Sequence, residues 1–159
     1  MDQYGRRRNL EIHGLSTSDN ENTEKLAWAL QKIDENVSSS DIDVAHRTGR
    51  HKDDKSKIKK TRPIIVRFTT RNVRNKIYKN KKKVYSFTTK DLGFETANCT
   101  FINENLTPAT RSLMHETDLK RKEMGWKYIW AKNGKIYCKT HEGTKAVIIQ
   151  QTDDLNNIY

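Results

Sequence analysis

Asn133-Gly134 separates two runs, Tyr128–Lys132 and Lys135–Lys139, in which apolar and aromatic residues alternate. Asn and Gly both tolerate positive φ, so this dipeptide predicts a two-residue hairpin turn, and the turn in turn fixes the strand register. Lys132 then lies opposite Lys135, Ala131 opposite Ile136, Trp130 opposite Tyr137 and Ile129 opposite Cys138. Successive strand residues point to opposite faces. Ile129, Ala131, Ile136 and Cys138 therefore share an apolar face, which leaves Tyr128, Trp130, Lys132, Lys135, Tyr137 and Lys139 on the other.

An apolar sheet face needs a cover, and the preceding segment supplies one. Thr107 is a natural N-cap, Pro108 suits the first helical position, and Gly125 stands where a helix is closed, so Pro108–Met124 is predicted to be helical. Its Lys120, Arg121 and Lys122 complement the negative end of the helix dipole. Thr144–Gln150 reads as a third strand and Asp153–Tyr159 as a terminal helical turn. Residues 106–159 thus form a small α+β domain with one helix and a three-stranded sheet.

Upstream, residues 9–105 read as a second domain. Asn9–Leu15 alternates as a strand, and Leu26, Leu30, Ile33 and Val37 fall at helical spacing behind Asn22. Ile42, Val44 and the run to Gly49 suit a strand, residues 50–62 a polar, lysine-rich loop, and Pro63–Thr70 the strongest strand of the chain. Val73 and Ile77 start a second helix, while Val84–Phe87 and Ala97–Ile102 supply a further hairpin-like or edge element. The order is βαββαβ, the pattern of an RRM-like or ferredoxin-like sandwich, so the whole chain is α+β.

Charge narrows the function. Val44–Lys90 holds seventeen Lys/Arg against Asp53 and Asp54, whereas the chain of 159 residues carries a net +11, so the remainder is slightly acidic. Segregated positive charge is the footprint of a surface that meets a polyanion, and nucleic-acid phosphates are the commonest one inside cells. The plainer reading is a solvated basic loop with a nuclear-import signal at Lys79–Lys83. No apolar run approaches the ~18 residues of a membrane span, and the N-terminal MDQYGRRRNL lacks a signal-peptide segment, which predicts an intracellular chain, cytoplasmic or nuclear. Trp130 and Tyr137, framed by lysines, have what a single-stranded base platform needs; equally, they could pack against the first domain.

In NLEIHGL, ENTEKLAWALQKI, DIDVAHRTG, RPIIVRF and FINENLTPATRSLMHETDLKRKEMGW the chain resembles the first open-reading-frame proteins of LINE-type non-LTR retrotransposons. The tail, from FINENL through GWKYIWAKNGKIYCK to AVIIQQTDDL, is similar also to the baculovirus few-polyhedra protein family. The first resemblance implies an RRM-like and a C-terminal domain that together bind single-stranded RNA or DNA with little sequence preference and act as nucleic-acid chaperones. It also implies homo-oligomerisation through an upstream coiled coil, of which residues 1–8 resemble only the exit, a linker. The second implies a viral structural or regulatory protein acting through protein contacts in virion assembly. Against ordinary RRMs, Glu11 stands where the first strand carries a stacking aromatic, and Pro63 and Ile65 where the third strand carries two. The expected nucleic-acid contacts are therefore Arg47, Lys59, Lys60, Arg62, Arg67, Arg71, Arg74 and Lys81, Lys82, Lys83 in the first domain, and Lys127, Trp130, Lys132, Lys135, Tyr137, Lys139 in the second.

Catalysis has no counterpart in the pattern. His13, His46, His51, His115 and His141 are scattered, without metal-site spacing or a glycine-rich phosphate loop, so no enzyme activity, metal, cofactor or small-molecule substrate is expected. His46, next to Arg47, is either a structural hydrogen-bonding group or a nucleic-acid contact. Trp28 lies off the Leu26–Leu30–Ile33 stripe, as a packing or partner-contact residue. Cys99 and Cys138 sit in β-like runs and are expected to be buried free thiols.

Overall fold

Alternation and helical spacing build the first unit around a four-stranded antiparallel sheet, in a computed structural model that describes residues 3–15, 23–48, 62–92 and 97–159, with the backbone alone at 23–25 and 28. Its elements are β1 (Asn9–His13), α1 (Thr23–Gln31), β2 (Ile42–Arg47), β3 (Ile64–Phe68), α2 (Arg71–Lys79) and β4 (Phe101–Glu104), and the strands lie in the order β2-β3-β1-β4. That order, with helical crossovers after β1 and β3, is the βαββαβ arrangement expected from the sequence. Leu10, Ile12, Val66, Phe68 and Ile102 turn to one side of the sheet, where Leu26, Leu30 and Ile77 of the helices complete the core. Thr70 accepts a hydrogen bond from Val73 N at 3.3 Å and starts α2 as its N-cap. Such caps contribute about 1 kcal/mol each.

Three segments differ from expectation. α1 stops at Gln31, because the Asp34 carboxylate accepts from Asn36 N at 3.1 Å and turns the chain; Ile33 and Val37 stay buried outside the helix. Lys81–Ser86, part of which was expected as a strand, is a 3-10 helix. Its period of three puts Val84 in the core and Phe87 against it, with Lys81 half-buried one turn earlier. The last strand accordingly begins at Phe101, and Cys99 lies before it, exposed and not buried as expected. Gly14, at φ +98°, ends β1 so close to the Cys99 carbonyl that a Cβ would collide with it. Asn22, Lys59, Lys60 and nearly all of the basic loop lie outside the described residues, as does the side chain of Trp28.

The chain divides after Asn105, and Leu106–Tyr159 form a second unit together with the described residues up to Arg7. Gln3 Oε1 accepts from Thr107 N at 2.9 Å and Arg6 donates to the Leu106 carbonyl at 3.1 Å, so residues 3–7 are tied to this unit rather than free of it. Thr107 caps α3 (Pro108–Glu123), and Gly125 follows it at φ +73°. β5 (Tyr128–Lys132), β6 (Lys135–Lys139) and β7 (Val147–Ile149) make a three-stranded antiparallel sheet. Trp126, Ile136, Cys138, Ile149 and Ile158 form its core, with Leu113 and Met114 of α3 packed on them. Both hairpin-turn residues have positive φ, 52° at Asn133 and 76° at Gly134, and all four expected strand pairs occur, with Tyr128 opposite Lys139 continuing the same register.

Candidate nucleic-acid interface

The hairpin register determines the outer face of the second sheet. Ala131, Ile136 and Cys138 are buried on the core side, with Ile129 half-buried beside them; Tyr128, Lys132 and Lys135 are exposed, and Trp130, Tyr137 and Lys139 half-buried on the other. Trp130 and Tyr137 stack as a cross-strand pair, with centroids 5.5 Å apart and planes 9° from parallel. Such a pair contributes about 0.5–1.5 kcal/mol beyond its area. The Lys139 ammonium lies 5.2 Å from the Tyr128 ring centroid and 5.9 Å from that of Trp130, which holds one cation above the aromatic row. Ile148, opposite Tyr137 and 42% exposed, extends this face onto β7. Sequence reading alone did not include it. Lys127 is exposed just before β5.

Two cations of α3, Arg121 and Lys122, are paired with an acid of the same helix. Asp118 of α3 accepts from Arg121 at 2.6 Å and pairs with Lys122 at 2.7 Å. Lys122 foremost, with Arg121, holds its carboxyl below the usual aspartate range. Burial pushes the Cys138 thiol up.

In the first unit the expected arginines separate into three environments. Arg67 and Arg71 are exposed, Arg67 in a loose pair with Asp43 at 3.6 Å. Arg62 and Arg47 are half-buried, and Arg47 donates to the carbonyls of Leu15, at 2.6 Å, and Arg62. Arg47 thus ties the end of β1 to the segment leading into β3. Arg74 differs outright from a surface clamp: it is 4% exposed and its guanidinium meets the Glu104 carboxylate at 3.0 Å. The helical period explains this, because Arg74 shares the inward stripe of α2 with Ile77 and Tyr78, and its ring contact with Tyr78 is 5.0 Å.

The outward stripe of α2 carries Arg71, Lys76 and Lys79, all exposed. Lys76 and Lys79 were absent from the expected contacts, although their i, i+3 spacing from each other signals a shared face. Lys82 and Lys83 continue the exposed basic surface, with Lys83 also donating to the Ile33 carbonyl at 3.2 Å. The Lys81 ammonium lies 4.2 Å from the Tyr78 ring, and burial lowers its pKa below the ordinary lysine value. His46 is exposed on the face of the sheet away from the helices, opposite Ile65.

Among the described residues, no group of three His, Cys, Asp or Glu side chains is placed to hold a metal ion, and no helix is long and apolar enough to cross a membrane. No curated protein matches the chain. Residues 107–159, which span α3, the three-stranded sheet and the C-terminus, match the family model described as Baculovirus FP protein domain 2, and to that extent the second unit is similar to a domain of the baculovirus FP proteins.

Proposed function

We propose that the protein binds single-stranded nucleic acid, RNA in the first instance, with little sequence preference, and serves as a nucleic-acid chaperone in a retrotransposon-type or viral ribonucleoprotein. The observation that carries this reading is the stacked Trp130–Tyr137 pair with Lys139 above it, on a sheet face whose other side is the core. Rings of this kind stack bases of any sequence, and the flanking lysines meet phosphates. Arg71, Lys76, Lys79 and Lys82 add exposed basic groups on and after α2, and Arg67 another on the sheet face away from the helices. In this reading the protein is a binding protein and not an enzyme, needs no cofactor, and acts in a cytoplasmic or nuclear ribonucleoprotein, with an upstream oligomerising segment.

Fluorescence anisotropy with labelled single-stranded RNA tests it. Binding in the nanomolar to micromolar range is expected, with the logarithm of affinity falling linearly in log salt by about 0.7 per contacted phosphate. No binding at low salt, or a slope near zero, refutes it.

The match of residues 107–159 to the baculovirus FP family favours a second reading, a viral structural or regulatory protein whose second unit contacts other proteins in virion assembly. The exposed Ile148 and Tyr128 would then be partner contacts. The same titration separates the two, since this reading requires no RNA affinity.

A further inference from the structure

Glu11, Pro63 and Ile65 occupy the places where a base-binding sheet of this topology carries its rings, yet the sheet is not without aromatics. β4 alternates so that Ile102 and Glu104 are buried while Phe101 and Asn103 face outward. Phe101 is 47% exposed and sits at the free edge of the sheet, where β4 has β1 as its neighbour on one side only. Tyr85, 65% exposed, comes to it from the 3-10 helix, with ring centroids 6.2 Å apart and planes at 61°. On the other side of Phe101, its cross-strand partner is His13, half-buried. Three flat rings therefore follow one another from the edge of the sheet inward.

Charge orients what this row can take. In a 3-10 helix residues three apart lie above one another, so the exposed Lys82 shares a side with Tyr85. At the inner end, the Glu11 carboxylate is buried 3.7 Å from His13 Nε2. An anion is thus attracted at the Tyr85 end, away from the buried Glu11 carboxylate. A nucleotide fits that polarity with its phosphate toward Lys82 and its base over the rings. An uncharged apolar partner would have no use for the lysine.

We infer that Tyr85 and Phe101, with His13 beside them and Lys82 at the edge, form a base-stacking site for single-stranded nucleic acid on the first unit, displaced from the β1 and β3 positions to the β4 edge. The inference rests on the nucleic-acid-binding reading above. It adds a site in a different unit, carried by different residues.

The test uses the full chain and a short fluorescein-labelled oligouridylate at low salt. Tyr85→Ala and Phe101→Ala should each lose about five- to a hundredfold in affinity at unchanged melting temperature, and Tyr85→Phe should bind as the parent does. If Phe101→Ala does not fold, Tyr85→Ala decides, because so exposed a ring contributes little to the core. If the parent and Tyr85→Ala bind alike while Trp130→Ala is weaker, this site is refuted and the hairpin reading stands. If the parent does not bind at all, both are refuted. If Tyr85→Ala leaves RNA affinity intact and instead removes a concentration-dependent self-association in sedimentation, the rings are a protein contact and the inference is overturned.

Discussion

Arg74→Ala separates a surface clamp from a structural ion pair. The Arg74 guanidinium and Glu104 carboxylate side chains are 5% and 1% exposed and meet at 3.0 Å, and Arg74 Nε and Nη1 reach toward Asn9 O and Asn75 Oδ1 at 3.4 and 3.2 Å. Removing the guanidinium takes away the ion-pair partner that the buried Glu104 carboxylate meets at 3.0 Å, which costs about 3–5 kcal/mol. For a domain the size of Arg8–Asn105 each kcal/mol lowers the melting temperature by about 4–8 °C, so the first unit should melt well over ten degrees early. Replacing both partners by apolar groups of similar size, Arg74→Met with Glu104→Leu, removes the buried charge and should recover most of that loss; the residual is about 1 kcal/mol for the hydrogen bond to Asn9. Thermal denaturation followed by circular dichroism reads all three proteins, and RNA anisotropy on the double variant should match the parent. If Arg74→Ala melts with the parent but binds RNA poorly, the guanidinium works at the surface and the buried pair is wrong.

The hairpin, the α3 ion pairs and the thiols give three further expectations. Trp130→Ala should lower RNA affinity by about 1–3 kcal/mol with a melting shift of only a few degrees, and parent-like binding by both Trp130→Ala and Tyr137→Ala would remove the platform. Asp118 has a lowered pKa in the folded state, so its pairing with Lys122 and Arg121 stabilises the fold fully above the unfolded aspartate pKa of about 3.9 and loses that contribution as pH falls through the folded value. Asp118→Asn should therefore cost up to about 1 kcal/mol at neutral pH and nothing in strong acid, as read by urea titrations at several pH values; a gap that persists in acid would show that the charge is not its cause. Ellman's reagent should titrate one thiol rapidly in the native protein, the exposed Cys99, and Cys138 only on unfolding. Rapid reaction of both thiols would mean that the second core is open.

How far the sequence could be read depended on how local each determinant was. The Asn133-Gly134 turn needs only two adjacent positive φ values, so it carried the register, both faces of the hairpin and the Trp130–Tyr137 pair without any long-range knowledge. Lys81–Ser86 was harder, since a run that buries Val84 and Phe87 fits strand alternation poorly and a period of three well, and a short apolar pattern does not choose between them by itself. Tyr85 and Phe101 therefore escaped notice as a pair; only the 3-10 geometry and the later start of β4 bring them together. Arg74 shows the limit more sharply. Counting charges ranks it with Arg71, and their i, i+3 spacing sets the two side by side; burial separates them, since Arg71 is exposed in the first turn of α2 while Arg74, one turn from Ile77, is turned inward with it. A buried arginine requires a buried acid, and Glu104, thirty positions away, alternates to the inner side of β4 next to Ile102. Each half of the pair was legible as a charge on a core-facing position. Their meeting was not, because it depends on how α2 packs over β1 and β4, a long-range contact that no local pattern encodes.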